Sequence, residues 1–127
     1  MRPPPPPLVV GPLTRTDLVR YQGASGDMQP VHHDEPFARA AGYEAPLSLG
    51  MLHAGLMGGW AASWLGAHNV RRFRVRFTAQ AFAGDTLTCS GALAGEDDET
   101  VEVELTCTRQ TDEVVARAWA TFAKEPQ

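Results

Sequence analysis

Cysteine is scarce in this chain. Cys89 and Cys107 are the only two, eighteen positions apart, and neither has a histidine nearby at metal-ligand spacing. A disulfide framework and a cysteine-based metal site are therefore excluded, and both thiols read as reduced core residues. Long apolar runs are missing as well. The most apolar segment, Ala45 to Gly66, is broken by glycines and by His53, well short of the roughly 20 uninterrupted residues that cross a bilayer. The opening Met1-Arg2 and Pro3 to Pro7 lack the apolar stretch of a secretory signal. The expectation is a cytoplasmic protein with no membrane association. Positive charge is in deficit, 11 Lys and Arg against 15 Asp and Glu for a net charge of −4. Such a balance gives no general attraction to phosphate backbones, so nucleic acid is not an expected partner.

With 127 residues, 43% hydrophobic and 20% charged, the chain has the size and balance of one globular domain over residues 1–127. Residues 1–7 form a proline-rich lead with polyproline II character, read as a frayed terminus or a run into the first strand. That strand is Leu8-Val9-Val10, ended by Gly11-Pro12. Thr14 or Thr16 is placed to cap a short helix with Asp17 in its first turn. Gly23 to Pro30, dense in Gly, Ser, Asp and Pro, reads as a loop. Asp34-Glu35-Pro36 then starts a second short helix that Gly42 can end.

A long helix is expected over about Leu49 to Leu65, where Leu52, Leu56, Trp60 and Trp64 recur every fourth residue. It carries no Asp, Glu, Lys or Arg, which suits a helix enclosed by protein. Its glycines, Gly50, Gly55, Gly58 and Gly59, each cost roughly 1 kcal/mol of helix propensity against alanine. Close approach of a sheet or ligand would offset that. Beyond Gly66 the period changes to two. Phe73, Val75, Phe77, Ala79 and Ala81 mark a long half-buried strand, followed by strands around Leu87 to Leu93, Val101 to Cys107 and Val114 to Ala123. The last, apolar on both faces, reads as central. The pattern gives an α+β fold, an antiparallel sheet wrapped around one long helix, which is the hotdog arrangement. Its free edges and apolar surface are commonly resolved by pairing two copies.

Chemistry concentrates between Tyr21 and Asp34. Gly26-Asp27-Met28-Gln29-Pro30-Val31-His32-His33-Asp34 puts a carboxylate and an imidazole five residues apart on a proline-stiffened loop. An imidazole titrates in the neutral range, and with a carboxylate partner it can move protons to and from one water. Taken alone, an Asp in such a loop also serves simply to form a turn. His33 reads as a neighbour facing the other way and Asp34 as a helix cap, with His53 a helix-packing residue and His68 a loop residue. Arg72, Arg74 and Arg76 make a basic stripe on one strand face. It is suited to phosphates or an acidic protein surface, or is simply solvated.

This stretch resembles the signature of the MaoC-like, (R)-specific enoyl-thioester hydratases and dehydratases, Gly-Asp-x-Asn-Pro-x-His-x-Asp. Leu49-Gly50-Met51-Leu52 resembles their His-Gly-Met-Leu helix start, and Phe77 with Gly84-Asp85-Thr86 resembles their later strand and turn. The resemblance implies reversible hydration of trans-2-enoyl thioesters by Asp27 and His32. The backbone N–H of Gly50 would hold the oxyanion, and Gln29 and Met51 would contact substrate or support the loop. It implies no metal or redox cofactor, coenzyme A or acyl carrier protein being part of the substrate. It also implies a homodimer, or a heterodimer with a second hotdog subunit. Gln29 and Leu49 depart from the family's Asn and His. A hotdog acyl-CoA thioesterase and a non-catalytic subunit of a heteromeric hydratase are the alternative readings.

Overall fold

The computed structural model describes residues 2–125; Met1, Pro126 and Gln127, which the single-domain expectation includes, lie outside the described residues. The elements follow in the order β1 (Leu8–Val10), α1 (Arg15–Ser25), a 3-10 turn (Pro30–His32), α2 (Glu35–Ala40), α3 (Gly50–Leu65), a second 3-10 turn (Ala67–Asn69), β2 (Val70–Phe77), β3 (Leu87–Glu96), β4 (Thr100–Arg109) and β5 (Val114–Ala123). The strands form one antiparallel sheet in the order β1-β3-β4-β5-β2. It wraps around α3, and the expected hotdog fold is what the chain adopts. Among the described residues no helix is long and apolar enough to cross a membrane.

Local chemistry explains the first two helices. Thr14 and Asp17 form a reciprocal capping box, each side chain bonding the other's backbone N–H. Asp34 caps α2 by accepting from the Phe37 amide at 3.1 Å. The loop after α1 starts later than the Gly23 expected, because the helix continues to Ser25. Gly26, at φ 80°, then supplies the left-handed stop and donates its N–H to Gln22.

The core lies between one face of the sheet and the buried side of α3, where Met57, Trp60, Ala61 and Trp64 meet Leu105, Cys107, Val115 and Phe122. From Arg2 onward the proline-rich lead is not frayed. Its carbonyls, unpaired in an extended conformation, take the buried indole N–H groups of α3: Trp60 donates to Pro6 at 2.9 Å and Trp64 to Arg2 at 2.8 Å. Gly91 on β3 allows the closest packing, since a Cβ there would stand 2.6 Å from the Glu104 carbonyl and 2.5 Å from Leu105.

Two sequence expectations change here. The strand after α3 ends at Phe77 rather than Ala81, and among the described residues it is an edge strand with β5 on one side only. Val70, Phe73 and Phe77 are therefore 39%, 36% and 48% exposed instead of half-buried within a sheet. Arg72, Arg74 and Arg76 alternate with them on the face away from α3, with Arg74 over the Trp119 ring. The second change is that α3 is not enclosed, because Met51, Gly55, Gly59 and Ser63 form an exposed row. Of its glycines, Gly50 lies against Phe77 and Gly58 against Phe73, but among the described residues nothing lies within 4 Å of a Cβ built at Gly55 or Gly59.

The segment entering α3 is spliced to the chain leaving β2. Ser48 N–H donates to Ala81, Ala83 N–H donates to Pro46, and Leu47 bridges Phe82. Asp85 anchors that turn by accepting from the Phe82 amide, Arg109 and Gln110. Burial pushes its carboxyl up, but these bonds and the Arg109 charge outweigh it and hold the group below the usual carboxylate range. Beside it, Ser48 Oγ and His53 Nε2 are 2.8 Å apart in a buried pair. Burial drives the His53 imidazole down to about 4, opposed only in part by the Asp85 charge.

These features set two expected outcomes. Gly91→Ala should lower stability by about 1–3 kcal/mol through overpacking. Gly55→Ala, on helix surface that is open in the lone chain, should raise the stability of the dissociated chain by about 0.5–1 kcal/mol. Urea unfolding measures both, and a neutral Gly91→Ala would contradict the packing described. As for pH, the folded imidazole of His53 sits near 4 against 6.5 for an ordinary histidine, so the unfolded chain takes up the proton first on acidification. Its stability contribution is complete above pH ~6.5 and is lost as pH falls toward 4. Between pH 7 and pH 5 the native chain should lose about 2 kcal/mol more than His53→Gln. Parallel pH profiles for the two proteins would refute that assignment.

Candidate active site

The loop leaving α1 turns tightly enough to aim Asp27 back at the following 3-10 turn. Asp27 N–H donates to Ser25 Oγ at 3.2 Å, and Asp27 Oδ1 accepts from the Gln29 amide at 3.3 Å. That second bond closes an Asx turn. Pro30 opens the 3-10 turn, which carries His32 to its end. The remaining carboxylate oxygen, Oδ2, lies 3.4 Å from His32 Nε2, with the Asp27 side chain 46% exposed and that of His32 12%.

His32 is held from its other nitrogen. Nδ1 lies 2.8 Å from the Leu47 carbonyl oxygen, and because a carbonyl only accepts, Nδ1 carries the proton. In the neutral ring Nε2 then presents its lone pair toward the carboxylate. Two acceptors converge on one small volume, a geometry that suits a donor with two hydrogens, such as water. The mouth of the pair is open and its back is fixed.

The Leu47 backbone holds the loop and the helix entry together, since its N–H also donates to the Val31 carbonyl at 2.9 Å. Gly50 follows three residues later, which keeps its amide within about 10 Å of that junction. As the first residue of α3, Gly50 has no intrahelical acceptor for its N–H. The other two α-helices are capped by side chains, whereas α3 has Leu49 at its cap, no side-chain capping hydrogen bond among the described residues and no acidic residue in its first turn. The positive end of its dipole is left free for an anionic group. The Phe77 ring stands 3.0 Å from where a Cβ at Gly50 would be, so any larger residue would press on it.

The other sequence candidates divide. Gln29 contributes its backbone, the amide to Asp27 and the carbonyl to Gln22, while its side chain is exposed and makes no hydrogen bond among the described residues. Met51 is 58% exposed, one residue past Gly50. His33 turns away from Asp27 and meets Gln22 Oε1 at 3.0 Å, and exposed His68 pairs with Glu125 at 3.2 Å. No group of three or more His, Cys, Asp or Glu residues is placed to hold a metal ion among the described residues.

Gln22 was not singled out in the sequence. It is 1% exposed, and its side-chain amide donates to the Asp27 carbonyl at 2.9 Å and to the Gln29 carbonyl at 3.1 Å. The available signal was its place four residues after buried Leu18, a polar side chain on the apolar side of α1 directly before the loop.

Comparison with known proteins gives the geometry a context. A family model described as a MaoC like domain matches residues 7–116. The chain is 35% identical over 79 residues to 3-hydroxyacyl-thioester dehydratase Y of Mycobacterium tuberculosis, covering 59% of this chain and 27% of that protein. It is 31% identical over 86 residues to the peroxisomal multifunctional enzyme type 2 of Mus musculus, covering 65% of this chain and 12% of that protein. The chain thus spans only a small part of the length of these curated relatives. Two solved structures share its fold with a TM-score of 0.85. They are an (R)-hydratase from A. caviae involved in PHA biosynthesis, 22% identical over 95% of this chain and 93% of the other, and the ChsH1–ChsH2 complex of M. tuberculosis, 23% identical over 94% of each.

Proposed function

This chain belongs to the MaoC-like dehydratase domain family, and from that premise we propose that it reversibly hydrates trans-2-enoyl thioesters to (R)-3-hydroxyacyl thioesters. The observation that carries the reading is the orientation of His32, whose Nδ1 is bound to the Leu47 carbonyl while Nε2 faces Asp27 Oδ2 at 3.4 Å. In the forward direction a water donating to both groups loses a proton to Nε2 as its oxygen bonds C3. The new imidazolium is steadied by the Asp27 carboxylate. The π pair of the double bond moves to the thioester oxygen, where the free Gly50 amide at the uncapped start of α3 takes the developing negative charge. Collapse of the enolate then draws the proton from the pair to C2, and both side chains return to their starting states.

The reaction so written needs no metal or redox cofactor, and coenzyme A or an acyl carrier protein enters only as the thiol half of the substrate. We assign the exposed β2 edge, with Phe73 and Phe77, and the uncharged open row of α3 to a second hotdog subunit, either a copy of this chain or a different one. The unpaired edge and its half-exposed aromatic rings support that assignment. A solution mass equal to that of a lone chain at micromolar concentration, with nothing co-purifying, would count against it.

Hydration is followed by loss of the enoyl absorbance of a short-chain enoyl-CoA and chiral analysis of the product. Asp27→Asn and His32→Ala should each lower turnover by roughly 100-fold or more, with unfolding midpoints near that of the native chain. Near-native turnover in either variant would remove the pair from the mechanism. Thiol release from a saturated acyl-CoA, without hydration of the enoyl thioester, would establish a thioesterase instead.

A further inference from the structure

We propose that Gln22 is a positioning residue for the Asp27–His32 pair and that His33 fixes the orientation in which it works. The inference rests on the hydratase reading for its kinetic consequence, but the clamp itself is geometric. Both hydrogens of the Gln22 amide are used, one on each of the two carbonyls, Asp27 and Gln29, that flank Met28. Its oxygen meets His33 Nδ1 at 3.0 Å, so that nitrogen must be the donor. Turning the amide over would set its oxygen against two carbonyl oxygens and its NH2 against an N–H. One orientation is therefore strongly preferred, and at 1% exposure the side chain is shut off from bulk solvent.

The carboxylate inherits its place from this clamp. Asp27 Oδ1 is bonded to the Gln29 amide, within the segment whose carbonyls Gln22 holds, and that leaves Oδ2 directed at His32. The imidazole is pinned through the same route, because His32 and His33 are adjacent and point to opposite anchors, the Leu47 carbonyl and the Gln22 amide. Gln22 thus ties the carboxylate loop and the imidazole turn to one rigid helix. Loosening it should widen an approach that already stands at 3.4 Å without opening the substrate surface.

The test uses Gln22→Leu, His33→Ala and His33→Asn on the full chain, with steady-state hydration of an enoyl-CoA and amide hydrogen exchange over residues 26–33. Gln22→Leu should lower kcat roughly 10–100-fold with KM within about threefold, the cost of a misplaced catalytic group, and exchange across that segment should quicken. His33→Ala should reproduce part of both effects. His33→Asn keeps an N–H for the Gln22 oxygen and should restore most of the lost kcat. If Gln22→Leu fails to fold, the two His33 variants, which alter a more exposed residue, still decide the matter through their difference. Unchanged kcat and exchange in Gln22→Leu, or equal behaviour of the two His33 variants, would overturn the proposal. Absence of hydration by the native chain would instead overturn the reaction, while the exchange arm would still decide whether the clamp exists.

Discussion

The peptide of Leu47 is the point through which the candidate site depends on the fold. Its carbonyl fixes the tautomer of His32, its N–H takes the Val31 carbonyl, and its backbone bridges Phe82 in the segment that follows β2. Three parts of the chain that lie far apart in sequence are thereby held in one register. A shift of this segment by one residue would turn the carbonyl away from the imidazole and move the start of α3 with it. Asp85 extends the constraint. It is buried and charged, yet three donors satisfy it, and it fixes the turn against which Pro46 to Ser48 is laid. A buried carboxylate with fewer partners would cost several kcal/mol, so the turn is as well defined as its hydrogen bonds.

The parts that sequence made legible were those set by local rules. Thr14 and Asp34 cap helices because a side-chain oxygen must satisfy the first free amides, and that need is visible in two or three residues. The four-residue spacing of Leu52, Leu56, Trp60 and Trp64 announced α3, and alternation announced the strands. In the loop, the pairing of Asp27 with His32 was what the family resemblance implied, and the chain brings them within 3.4 Å. The caps, the helix and the strands need only backbone periodicity and short-range sterics.

What was not legible required knowing what lies opposite. Phe73, Val75 and Phe77 alternate as an inward-facing strand would, and they do face α3, but periodicity carries no information on whether a strand has one neighbour or two. The exposure of Phe73 and Phe77 follows from the edge position alone. Gln22 was hidden for a different reason. Gly23 and Ser25 are poor helix formers, so the local signal ended α1 early, whereas the helix continues to the left-handed stop at Gly26. The missing turn places Gln22 under the loop instead of beside it. Likewise nothing local showed that the proline-rich lead would lie along α3, because its carbonyls are recruited by Trp60 and Trp64, more than fifty residues away.

The absence of charge on α3 can be understood from its first turn. A helix that begins with an Asp or Ser cap gains about 1 kcal/mol from satisfying its leading amides, and α3 forgoes that gain with Leu49 in the capping position. An acidic residue in that turn would compete with any anion for the same amides, and a basic one would be repelled by the positive end of the helix dipole. With neither present, the leading N–H groups and the helix dipole remain the dominant local positive potential. The stability thus lost is offset elsewhere, by the buried side of the helix against the sheet and by the two indole bonds to the lead. An unsatisfied helix start at Gly50 is then a feature the fold tolerates because its core is anchored from the other end.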